Sequence, residues 1–99
     1  MTTRRIAVAI VDDDASVRVG LRRLCTAFGM AATAYASGRE FLAALERDPS
    51  IAECLILDTH MPEMSGIELQ RHLLAQGTYI PTIVVTADFG LREGRAETW

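Results

Sequence analysis

The 99-residue sequence contains no lysine: all ten of its basic residues are arginine. A GC-rich coding bias accounts for that without any function. No basic stripe interleaved with aromatic residues occurs, and aromatics make up only 6% of the chain. Nucleic-acid binding by this segment is therefore not expected. Long apolar runs are also missing. The longest in the N-terminal segment, Ile6 to Val11, has six residues. That is too short for a membrane span or for the apolar region of a signal peptide. No membrane contact is expected, and the expected location is cytoplasmic. Cysteine is scarce: Cys25 and Cys54 stand alone, without C-x-x-C spacing. Both sit among apolar residues and read as small buried hydrophobes in a reducing compartment, not as metal or redox groups.

What is present is ordinary for a globular protein. The apolar share is 49% and the charged share 23%. These values exclude a disordered chain, a collagen-like chain and a disulfide-stapled mini-protein. The length suits one domain with a core of its own. Net charge is −3, and removing Asp12, Asp13, Asp14 and Asp58 would turn it to +1. The acidity is thus concentrated at two places in the chain.

Ile6 to Val11 predicts a buried strand, since it is short and mostly β-branched and ends in three aspartates. From Ala15 to Phe28, Val17, Leu21, Leu24 and Phe28 recur at helical spacing, and Gly29 is a natural stop. Met30 to Tyr35 predicts a weak strand. Ser37 and Glu40 form an S-x-x-E capping box that opens a second helix through Phe41, Leu42 and Leu45. Asp48-Pro49-Ser50 breaks it. Cys54 to Leu57 predicts a buried strand ended by Asp58. Ser65 and Glu68 make a second capping box, opening a helix with Ile67, Leu74 and neighbouring apolar residues, stopped by Gly77. Ile80 to Val85 predicts a fourth strand ending at Thr86, with Pro81 tolerated at its start. Strands alternating with helices at this spacing predict an α/β domain, a parallel sheet covered on both faces.

Three of these strands end in polar groups: Asp12-Asp13-Asp14, Asp58 and Thr86. In a parallel sheet the carboxyl ends lie along one edge, beside the crevice where open α/β sheets bind ligands. Carboxylates gathered there repel one another unless a cation or a proton intervenes. Oxygen-only ligands favour a hard cation, Mg²⁺ above all. Taken singly, each residue has a plainer reading. Asp14 reads as the N-cap of the helix that follows. Asp58 alone would be a turn former, and Thr86 alone says nothing. Their joint placement carries the argument.

Ile10-Val11-Asp12-Asp13-Asp14 with Val17-Arg18, Leu57-Asp58-Thr59-His60-Met61-Pro62-x-Met64-Ser65-Gly66, and Val84-Val85-Thr86-Ala87 together resemble the receiver domain of bacterial two-component response regulators. The wording of the segments is closest to receivers of the nitrogen-fixation regulator type. The resemblance covers about Ile6 to Ala87. It implies a flavodoxin-like, CheY-like doubly wound sheet with strand order 2-1-3-4-5. It implies Asp58 as the phosphoacceptor, attacking the phosphohistidine of a sensor histidine kinase. Asp13 would ligate Mg²⁺ directly, Asp12 mainly through a metal-bound water, and His60 through its backbone carbonyl. Asp58 would complete the metal site. The Thr86 hydroxyl and the Ala87 amide would contact the phosphoryl group. Such a domain is a phosphoacceptor in signalling and not an enzyme in the usual sense.

The chain also departs from that pattern. The resemblance implies five strands, and four are legible. Residues 1–87 read as an incomplete receiver and 88–99 as a divergent polar tail, as expected of a chain truncated or altered at its C-terminus. The family's lysine has no counterpart here, and the strand bearing its switch aromatic is not seen. A fourth strand left at the sheet edge is expected to invite self-association. Two other readings stay open on residues alone. One is a non-switching fragment that binds a kinase or receiver partner without productive phosphorylation. The other is a small aspartate-nucleophile phosphatase of the haloacid dehalogenase kind. That family's D-x-D motif is missing at Asp58-Thr59-His60, although Asp12-x-Asp14 contains it.

Overall fold

The structure, a computed structural model, describes residues 4–59, 61 and 63–85. Seven elements alternate: β1 (Ala7–Val11), α1 (Ala15–Ala27), β2 (Ala31–Tyr35), α2 (Gly38–Arg47), β3 (Cys54–Asp58), α3 (Gly66–Ala75) and β4 (Thr82–Val85). The four strands form one sheet in the order β2-β1-β3-β4, and every pairing is parallel. The register sets Ile10 beside Ala34 and Ile56, and Asp58 beside Val85.

Alternation along the strands sorts the core into two layers. On one face Ala9, Val11, Leu55 and Leu57 pack with Phe41 and Leu45 of α2 and with Leu69 and Leu73 of α3. On the other, Val8 and Ile10 pack with Cys25 of α1, flanked by Leu21, Cys54 and Ile56. Helices on both faces of an open parallel sheet are the doubly wound α/β arrangement expected from the strand–helix alternation. Among the described residues, no helix is long and apolar enough to cross a membrane.

The helix starts follow the capping chemistry. Asp14 caps α1, accepting from the backbone N–H groups of Ser16 at 2.9 Å and Val17 at 3.4 Å. At α3 the capping box is complete: Ser65 Oγ accepts from the Glu68 amide, and Glu68 Oε1 accepts from the Ser65 amide. At α2 only half of the expected box forms. Ser37 Oγ accepts from the Glu40 amide, but the Glu40 carboxylate reaches one residue further back, to the Ala36 amide at 3.0 Å.

The predicted helix faces need correction. In α1 the residue turned fully inward is Cys25, with Val17 and Leu21 half-buried, whereas Leu24 and Phe28 are exposed. The face meeting the sheet is centred on the Leu21–Cys25 pair, one turn apart. Phe28 is already the C-cap, where the chain leaves the helix for β2. In α3 Ile67 and Leu74 point outward, and Leu69 and Leu73 are the buried pair. Ile67 and Leu69 are two positions apart and so lie on roughly opposite sides of a helix. Strand limits shift slightly. β1 begins at Ala7, leaving Ile6 exposed, and β4 begins at Thr82, after the buried Ile80. Asp58 is the last residue of β3 instead of a terminator outside it. Cys25 is buried and Cys54 half-buried, and both thiols are free. Burial pushes the Cys25 thiol up, away from thiolate chemistry.

Candidate functional site

The carboxyl ends of β1 and β3 are neighbours in the sheet, so Asp12 and Asp58 meet at one edge. Asp12 follows β1 directly, and its backbone N–H donates to the Tyr35 carbonyl at 3.1 Å, extending the pairing with β2. It is 1% exposed, and Asp58 is 3% exposed. Asp13 lies on the exposed rim. Ligand oxygens of Asp12, Asp13 and Asp58 all lie within 4.8 Å of one another. The sequence-expected carboxylate cluster therefore assembles, with two members buried and one open to solvent.

The electrostatics follow from that geometry. The Asp12 carboxyl is raised from its ordinary value, first by burial and then by the negative charges of Asp58, Asp13 and Asp14. A hydrogen bond opposes the shift: the Asp14 amide donates to Asp12 Oδ1 at 2.9 Å. Asp12 Oδ2 is buried and has no hydrogen-bond partner among the described residues. A buried carboxylate oxygen left in that state carries a desolvation cost. Asp14 behaves in the opposite way. Its carboxyl is lowered by the Ser16 hydroxyl and by the helix-start amides of Ser16 and Val17. It is a structural cap and stands outside the cluster, as its position in the sequence leads one to expect.

An all-carboxylate donor set, mutual repulsion and one buried oxygen without a donor fit a hard divalent cation of the Mg²⁺ kind. Aspartates from the ends of two strands and from the β1–α1 loop can hold such an ion from one side. Two further expected contributors, His60 and the Thr86–Ala87 pair, lie outside the described residues, as does Pro62. β4 does bring its end to the site: Thr59 N–H donates to the Val85 carbonyl at 3.2 Å.

Two further residues shape the site: Gly66, which the resemblance implies shapes the turn that brings Asp58 to the pocket, and Arg18, whose bond the sequence left unspecified. Gly66, the first residue of α3, lies against Asp58. A Cβ built there would meet the Asp58 carbonyl oxygen at 2.8 Å and the Leu57 side chain at 3.2 Å. Only glycine permits that approach. Arg18 reaches back from α1, and its Nη1 donates to the Asp12 carbonyl at 2.9 Å. The one sequence signal for it was its place in the Val17-Arg18 pair, with no role attached.

A cleft of about 220 Å³ borders Asp13 alone of the clustered aspartates, its other walls including Ser37, Gly38, Arg39, Met61 and Met64. A larger one, about 500 Å³, lies between α2 and α3 and includes none of the clustered aspartates. Size does not mark the site here; the converging carboxylates do.

Residues 8–93 match the family described as the response regulator receiver domain. The response regulator protein TodT of Pseudomonas putida F1 is 38% identical over 86 residues, which is 87% of this chain and 37% of TodT. The transcriptional regulatory protein FixJ of Azorhizobium caulinodans is 37% identical over 81 residues, 82% of this chain and 37% of that protein. The chain thus spans little more than a third of these relatives' length. Among solved structures, a response regulator receiver protein from Burkholderia phymatum is 47% identical with a TM-score of 0.73, covering 90% of this chain and 73% of that one. Four parallel strands in receiver order, a three-aspartate cluster at their carboxyl edge and a family match over most of the sequence agree: this chain belongs to the response regulator receiver domains of two-component systems.

Proposed function

We propose that Asp58 accepts a phosphoryl group from the phosphohistidine of a sensor histidine kinase. The observation that carries this reading is the placement of Asp12, Asp13 and Asp58 with ligand oxygens within 4.8 Å of one another, two of the three residues being buried. An Asp58 carboxylate oxygen forms a bond to phosphorus as the nitrogen–phosphorus bond of phosphohistidine breaks. The bonding pair leaves with the imidazole, which takes up a proton. The products are an aspartyl phosphate and a neutral histidine. Asp13 and Asp58 would hold Mg²⁺ directly and Asp12 through a water, with the His60 carbonyl as a further ligand. Bound there, Mg²⁺ supplies the positive charge that lets an anionic nucleophile meet an anionic phosphoryl group. Thr86 and the Ala87 amide are assigned to the phosphoryl oxygens. The role is signalling; the chain takes part in its own phosphotransfer and turns over no separate substrate. A cytoplasmic site of action fits this reading.

Phosphoramidate is the direct probe, because it carries the same nitrogen–phosphorus bond. Incubation with it and Mg²⁺ is expected to give an acid-stable, hydroxylamine-labile phosphoryl adduct that Asp58→Ala lacks. Equal labelling of Asp58→Ala would overturn the assignment.

Self-association has a separate motivation. Thr82-Ile83-Val84-Val85 is an uncharged, wholly β-branched strand, and it stands at one end of the described strand order. Ile83 is 55% and Val84 49% exposed, one on each face. We infer a contact with a second copy through this strand, since edge strands without charge or bulge pair readily.

A further inference from the structure

Asp13 is the one member of the aspartate cluster that lies on the exposed rim, and it makes no hydrogen bond of its own among the described residues. The direction in which its side chain leaves the backbone is set by the two peptide planes that flank its Cα. Both planes are held. In the Asp13–Asp14 plane, the Asp14 amide donates to Asp12 Oδ1 at 2.9 Å. In the Asp12–Asp13 plane, the carbonyl oxygen accepts from Arg18 Nη1 at 2.9 Å. We propose that Arg18 is a positioning residue for the metal site: by pinning the Asp12 carbonyl it presets Asp13 for a small divalent cation. This rests on the reading of Asp12, Asp13 and Asp58 as a Mg²⁺ site.

A peptide unit is rigid and planar, so fixing its oxygen fixes the orientation of the whole unit. Asp12 is anchored on its other side as well, since its N–H donates to the Tyr35 carbonyl of β2 at 3.1 Å. Arg18 is anchored too. It is half-buried in the first turns of α1, its backbone N–H donates to the Asp14 carbonyl at 3.0 Å, and Asp14 caps that helix. The side chain thus clasps the loop between the end of β1 and the start of α1. The two flanking planes differ in what holds them. The Asp14 amide depends on a carboxylate oxygen of the cluster, where a cation or a proton arriving at Asp12 competes for the same charge. The Asp12 carbonyl depends on a guanidinium, which stays charged and stays a donor throughout the accessible pH range. Arg18 therefore holds its plane whether or not the ion is bound. Mg²⁺ demands near-ideal octahedral geometry, whereas Ca²⁺ accepts looser arrangements at longer distances. A ligand fixed beforehand favours the stricter ion.

An arginine that only steadied α1 would make the same hydrogen bond, so two ions of equal charge and different size are compared. The whole chain is titrated with Mg²⁺ and, separately, with Ca²⁺, and amide shifts near Asp13 and Asp58 are followed. Arg18→Met keeps an aliphatic stem and donates nothing. In this variant Mg²⁺ affinity is expected to fall about tenfold, the low end of the effect of outer partners that orient metal ligands. Ca²⁺ affinity should fall clearly less, so the preference for Mg²⁺ narrows. The Asp13 and Asp14 amide shifts should also move in the metal-free variant. Arg18→Ala, a good helix former, takes its place should Arg18→Met fail to fold. If the two affinities fall by the same factor, rise, or stay unchanged, Arg18 acts only on the helix or as a distant charge, and the inference is overturned. Guanidinium rotation at Arg18 as free as at the exposed Arg22 and Arg23 of the metal-free wild type would overturn it too. If the wild type binds neither ion, the metal-site reading itself fails, and the role of Arg18 with it.

Discussion

Gly66 lies so close to the Asp58 carbonyl that a Cβ at position 66 would stand 2.8 Å from its oxygen. The N-terminus of α3 is thereby pressed onto the end of β3, with Leu57 filling the other side of the contact at 3.2 Å. Backbone cannot yield here as a flexible side chain could. Gly66→Ala is expected to destabilise the fold by about 1–3 kcal/mol, the range for overpacking a tight contact. It should also displace Asp58 and weaken Mg²⁺ binding. Chemical denaturation and a Mg²⁺ titration of the variant check both. Unchanged stability would show that α3 can move off the strand at no cost.

Asp12 contributes against folding at neutral pH. Its folded-state carboxyl is raised by burial and by Asp58, Asp13 and Asp14. A raised group favours the folded state only while protonated, so its contribution is lost as pH rises through the folded value. Asp12→Asn, measured without divalent cation, should therefore be more stable than wild type at pH 7. The gain should shrink towards the ordinary carboxylate range near pH ~4. Added Mg²⁺ should then stabilise the wild type more than the variant. Thermal melts over that pH interval decide it; a variant less stable at pH 7 would mean the Asp12 charge is already well compensated.

Asp14 carries the opposite sign. Its lowered carboxyl stabilises the folded chain above the unfolded value, and the contribution is lost as pH falls through the folded one. Asp14→Ala should lower the melting temperature at pH 7 and leave Mg²⁺ affinity nearly unchanged, because Asp14 caps α1 and stands outside the cluster. Asp13→Ala should do the reverse, abolishing the Mg²⁺-dependent amide shifts near Asp58. Matching behaviour of the two variants would erase the distinction between cap and ligand.

Ile83 and Val84 make self-association measurable. Sedimentation at rising concentration is expected to show dimers, and Val84→Lys should shift the chain to monomer by charging the strand. A wild type that stays monomeric at high concentration would contradict a β4-mediated contact.

Much of this arrangement was legible in the residues. Asp12, Asp13 and Asp58 converge because strand ends in a parallel sheet share an edge, and that follows from strand order and polarity alone. The Ser65–Glu68 box was legible because both of its bonds are local. The helix faces were harder. Leu24, Phe28, Ile67 and Leu74 are apolar, yet the sheet meets Leu21–Cys25 and Leu69–Leu73. Apolar residues cover more than one stripe of α1 and α3, so periodicity alone does not say which stripe faces inward. Glu40 chose the Ala36 amide over that of Ser37, a matter of one residue in the entry of the chain into α2. Arg18 was visible but without a role, because its partner is a backbone carbonyl, and side-chain identity gives no sign of that bond.

The central claim is that Asp58 takes up a phosphoryl group in a site built from Asp12 and Asp13. Intact-mass spectrometry after incubation with acetyl phosphate tests it most directly. The prediction is a single added phosphoryl group with Mg²⁺ present, absent after chelation, absent in Asp58→Ala and strongly reduced in Asp13→Ala. An adduct that persists in Asp58→Ala, or a wild type that gains no mass with Mg²⁺ bound, would contradict the account.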